Sequence, residues 1–109
     1  MAKHEFGIMN TPPKLNERYD SYDPEKYNCI SVPDDCIEPL LDKLTQMESY
    51  WHTLEQPAKG LAYYGITLIP PSSMRLFTEL LERASGTDEL RDLLLRAQEE
   101  EKFVIHFGI

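Results

Sequence analysis

Two hydrophobic periods alternate along this chain. Residues 5–9 (EFGIM) and 27–32 (YNCISV) are short apolar runs that read as strands, the first followed by Asn-Thr-Pro-Pro, the second by Pro33 and two aspartates. Residues 10–26 hold three prolines and no sustained period, which predicts a long ordered loop. Tyr19 and Tyr22 give that loop apolar material with which to pin itself to the body. From Asp35 the period lengthens. Ile37, Leu40, Leu41, Leu44, Met47 and Trp51 form one helical stripe, opened by Asp35 and Glu38 in capping-box spacing or by Pro39 at the first position. Pro57 to Gly60 reads as a turn. Residues 61–69 (LAYYGITLI) carry the strongest strand signal, ended by Pro70-Pro71. Ser72 or Ser73 is then expected to cap a second helix through Met74, Phe77, Leu80, Leu81 and Ala84. Thr87 is expected to cap a third through Leu90, Leu93, Leu94 and Ala97. A last strand is predicted over residues 102–109.

The order β-β-α-β-α-α-β predicts a single α+β domain over residues 1–109. The expected form is a two-layer sandwich, a mixed four-stranded sheet with three helices on one face. Strand alternation then sorts the residues. One consistent assignment puts Phe6, Ile8, Ile30, Val32, Tyr64, Ile66, Leu68, Phe103, Ile105 and Phe107 under the helices, with Trp51 in the core. The outer face would show Glu5, Met9, Tyr27, Cys29, Ser31, Tyr63, Thr67, Val104 and His106. Such a mixed face meets a second subunit, a folded-back loop or a ligand.

Composition narrows the function classes. The net charge of −8, with eleven scattered Lys and Arg residues, argues against binding a nucleic-acid backbone. Acidity at this level serves solubility, and a basic partner or nucleic-acid mimicry are its functional alternatives. No apolar run approaches the ~20 residues that cross a bilayer, and MAKHEFGIMN lacks the apolar stretch of a secretion signal. Two cysteines are too few for a disulfide framework. A cytoplasmic protein without membrane contact is expected.

Candidate chemistry is sparse. Cys29 and His106 fall on one expected face, but no cysteine-enzyme signature surrounds Cys29, and a strand cysteine acting as a small hydrophobe explains it better. His4, His52 and His106 are scattered and Cys29-x6-Cys36 matches no zinc spacing, so no metal is expected. No G-x-G-x-x-G and no Walker loop occurs, so no nucleotide cofactor is expected either. Gly60 and Gly65 read as a turn and a close strand contact. Tyr63, Thr67 and His106, with His52 near the helix end, could line a pocket mouth. An aromatic plug at the end of the core is the plainer reading of Tyr50, Trp51 and His52.

The segments RYDSYDPEKYNCISV, YWHTLEQPAKGLAYYGITLIPP and KFVIHFGI resemble those of a small family of uncharacterised bacterial proteins. The resemblance implies a compact single domain and carries over no functional residue. The expectation is therefore a small acidic binding domain without catalytic activity, acting as a homodimer or on a protein partner, as immunity and regulatory proteins do by analogy. The alternative is a small-molecule binder or enzyme using Tyr63, Thr67 and His106, with Cys29 or His52.

Overall fold

The computed structural model describes residues 2–109. Among these, six strands form one open sheet: β1 (Lys3–Ile8), β2 (Ile30–Pro33), β3 (Glu48–Trp51), β4 (Pro57–Lys59), β5 (Ile66–Ile69) and β6 (Val104–Phe107). Their order is β2-β1-β6-β5-β3-β4, and every neighbouring pair is antiparallel. The α+β class read from the sequence holds. The sheet departs from expectation in having six strands rather than four and in being antiparallel rather than mixed.

The extra strands come from the segment read as the end of the first helix and the turn after it. Pro39 interrupts that helix. It runs as α1 (Asp34–Ile37), a 3-10 turn (Glu38–Leu40) and α2 (Leu41–Leu44). Thr45 follows, its hydroxyl donating to the Asp42 carbonyl at 2.6 Å. The aromatics Tyr50 and Trp51 then favour extended backbone, and β3 pairs with β4 in the register Glu48↔Lys59, Ser49↔Ala58, Tyr50↔Pro57. Pro57 is tolerated because β4 is an edge strand. Trp51 is accordingly a half-buried strand residue, not a helical core residue.

The helices α3 (Met74–Leu81) and α4 (Asp88–Glu99) set Met74, Phe77, Leu81, Leu90, Leu93, Leu94 and Ala97 against Phe6, Val32, Ile69 and Val104 of the sheet. Neither expected cap forms. Ser73 adopts helical angles and its hydroxyl donates instead to the Glu48 carbonyl at 2.6 Å, tying α3 to β3. Thr87 makes no side-chain cap bond. None of the described helices is long and apolar enough to cross a membrane.

The face assignment holds for β1 and β2 and is reversed in β5 and β6. Phe6 pairs across to His106, and His106 to Thr67, so these lie on the helix side. Ile66, Leu68, Ile105 and Phe107 form a second apolar cluster on the other side, with Met9. All four residues of ITLI and of VIHF are buried, so neither strand shows a wet side from which to read its parity. Tyr19, Tyr27 and Cys29, from the segment between β1 and β2, pack against this second cluster. The loop thus covers much of the outer face. Tyr64, expected in the core, is 81% exposed, because the chain turns before β5 with the Gly65 amide on the Ala62 carbonyl at 3.0 Å.

Candidate functional site

Two polar centres flank the sheet, back to back on β1, β5 and β6. The inner one is a chain of hydrogen bonds, buried from Ala62 to His4 and part-buried where it ends on Asp34 and Tyr63. The Ala62 amide donates to Thr67 Oγ1 at 2.8 Å, and that hydroxyl lies 3.1 Å from His106 Nδ1. His106 Nε2 meets His4 Nδ1 at 2.8 Å, and His4 Nε2 meets Asp34 Oδ1 at 2.8 Å. The Tyr63 phenol donates to Asp34 Oδ2 at 2.7 Å. One proton per group satisfies every link if both histidines are neutral and protonated at Nε2, so that protons point from Thr67 through His106 and His4 to Asp34.

Electrostatics agree with that assignment. Burial, and then the neighbouring His4, hold the His106 imidazole well below its usual range, so it stays uncharged. The Tyr63 hydrogen bond, and then that of His4, lower the Asp34 carboxyl below the usual carboxylate value. The same bond to Asp34 pushes the Tyr63 phenol up to about 12. Both imidazoles are completely buried. The network ties Asp34, at the start of α1, to His4 of β1.

The outer centre is open. A cleft of about 750 Å³ lies over the ends of β1, β6 and β5, within the size range of small-molecule sites. Its floor is a cross-strand row, Glu5 beside Phe107 and Phe107 beside Ile66. Tyr22 stands on one side, its phenol donating to Glu5 Oε1 and its ring set edge-on to Phe107 at 5.4 Å. That hydrogen bond pushes the Tyr22 phenol up to about 12, so it remains a donor. His52, Tyr64 and Gly65 line the cleft as well, with Asp20, Lys3 and Ile109. His52 has a positive φ of 66° and its Nδ1 lies 3.0 Å from both Asp20 Oδ1 and the Tyr19 carbonyl. It is a bracket between the covering loop and the sheet.

Thus Tyr63, Thr67 and His106 do share one network, but on the helix side and away from the cleft. His52 lines the cleft. Cys29 lines an adjoining cavity with Glu5 and Tyr22. Burial, with Glu5 and Asp23 nearby, pushes the Cys29 thiol up to about 12, so it is not poised as a nucleophile. Sequence reasoning missed Tyr22, Tyr64 and Phe107 as one group, and His4 and Asp34 as partners of His106. One local signal was available. Glu5 is a carboxylate directly before the apolar Phe6-Gly7-Ile8 of β1, and the fold leaves it only 7% exposed.

Among the described residues no group of three or more His, Cys, Asp or Glu side chains converges to hold a metal ion. No protein-family model, no curated protein and no solved structure matches the chain.

Proposed function

We propose that this chain is a small ligand-binding domain without catalytic machinery, and that the cleft over Glu5, Phe107 and Ile66 is its working surface. One observation carries the reading. Among the described residues five large hydrophobic side chains are exposed, and three of them, Tyr22, Tyr64 and Ile109, line this cleft. Apolar surface gathered around a concavity with a few polar groups is the ordinary form of a binding site. The two histidines that lie close together elsewhere, His4 and His106, are buried and bonded to one another, which supports binding over catalysis.

A contact with a protein partner or a second copy is the competing reading, and the 81% exposure of Tyr64 favours it. The segment between β1 and β2 already packs on the second apolar cluster, so such a contact would centre on the cleft too. The two readings separate in one experiment. Ligand-detected NMR against a fragment set should give hits on the wild-type protein that weaken about tenfold or more in Tyr64→Ala, the loss of one buried aromatic contact. Sedimentation should show a monomer throughout. Fragment binding untouched by Tyr64→Ala would remove the cleft from the argument, and a dimer broken by that substitution would establish the contact reading instead.

A further inference from the structure

The charges around the cleft are not evenly placed, and their placement identifies the occupant. We infer that the cleft takes a small organic cation, an ammonium or guanidinium group on an apolar or aromatic body, with Glu5 as its counter-charge. This rests on the cleft being a binding site, as proposed above, and adds which charge it selects.

Glu5 lies in the floor row, 7% exposed, between β2 on one side and Phe107 on the other. Its Oε1 accepts the Tyr22 phenol, and the residue lines both the cleft and the adjoining cavity. A carboxylate so far removed from water interacts strongly with any charge brought beside it, because little solvent is left to screen the pair. The rings around it act in the same sense. Tyr22, Tyr64 and Phe107 line the cleft, and aromatic rings attract cations, more strongly where water is excluded.

The remaining charged groups do not reverse this balance. Asp20 is a second carboxylate, engaged by Arg18 Nε at 2.7 Å and by His52 Nδ1 at 3.0 Å. His52 Nδ1 is therefore engaged by Asp20 and the Tyr19 carbonyl. Lys3 is the basic side chain that opposes Glu5, and it is exposed, so water and salt screen it. The whole molecule, with its net charge of −8, also raises the local concentration of cations at a low-dielectric cleft. The apolar part of the floor, Phe107 and Ile66, requires that the cation carry a hydrophobic body rather than be a bare ion.

The test uses three probes of one shape: benzylamine, benzyl alcohol and benzoate, each titrated into the intact chain and followed by its backbone amide spectrum. Benzylamine should shift the amides of Lys3, Glu5, Gly65 and Phe107 and bind at least about tenfold more tightly than the alcohol, the gain typical of a charge-assisted contact. Benzoate should be weakest. Glu5→Gln keeps an acceptor for Tyr22 and should bring the amine down to the level of the alcohol, while Lys3→Gln should tighten the amine. Equal binding of all three, or a preference for benzoate, would overturn the cation assignment and leave the cleft standing as a binding site. Shifts confined to residues outside the cleft would overturn both.

Discussion

His106 and His52 both touch the start of β5, yet the chain treats them oppositely. His106 is wholly buried between Thr67 and His4, while His52 is half-exposed and bridges the covering loop. The buried ring gives stability a definite pH dependence. In the unfolded chain His106 takes up a proton near the usual 6.5, but in the fold burial delays that uptake to well below it. Between those values the unfolded state binds more protons, so stability falls as pH falls. Asp34 adds a second loss at lower pH, because its folded carboxyl ionises below the usual 3.8. Tyr63 works at the other end: its phenol is raised from 10.0 to about 12, so stability declines as pH rises across that window. Urea unfolding measured from pH 4 to 11 should therefore give a plateau at neutral to mildly alkaline pH with a fall on each side. Stability that rises between pH 7 and pH 5 would contradict the neutral-histidine chain.

The element joining the two centres is the turn ahead of β5. Tyr63 reaches inward to Asp34 and Tyr64 lines the cleft, their rings edge-on at 4.9 Å. The turn is seated on the end of β6, where the Gly108 amide donates to the Gly65 carbonyl at 2.8 Å and the Ile109 amide to the Tyr63 carbonyl at 3.0 Å. That seat needs glycine for space. A Cβ at Gly108 would lie 2.1 Å from the Tyr63 carbonyl oxygen and 2.8 Å from that of Ala62, both backbone atoms. A Cβ at Gly65 would lie 2.7 Å from His52 Nε2, a side-chain tip rather than backbone. Gly108→Ala should therefore cost about 1–3 kcal/mol, the range for overpacking, read as a drop in the denaturation midpoint and in Tm. A change within about 0.5 kcal/mol, as at an ordinary surface site, would show that the turn is not held there.

Elements were legible in the sequence where apolar spacing was long and one-sided, as in α3 and α4. Reading failed where a local signal had two meanings. Met47 and Trp51 fit a helical stripe, but Ser49, Tyr50 and Trp51 fit a strand equally well, and the hairpin with β4 decided for the strand. In β5 the apolar run does not mark where the strand begins, so alternation places Tyr64 inside it, whereas the strand starts at Ile66 and Tyr64 lies on the turn.

At the scale of the molecule the sheet separates two jobs. Its helix side carries the Thr67–His106–His4–Asp34 chain, and its outer side carries loop, second cluster and cleft. The cleft was not legible because it depends on register between the first and last strands. Glu5 meets Phe107 across 102 positions of sequence, and the same pairing places His106 beside Phe6 on the reverse face. Tyr22, from the covering loop, completes the site only once that loop has docked. Tyr63, Thr67 and His106, expected to line a pocket on the outer face, lie instead in one network on the helix side, a one-residue difference in strand parity.

The most direct test is the map of backbone amides perturbed by a bound amine fragment. The shifts should concentrate at residues 3–5, 20–22, 52, 64–66 and 107–109, and leave Asp34 and the helices unmoved. A map centred on Asp34, Tyr63 and the start of α1 would contradict the assignment of function to the outer cleft.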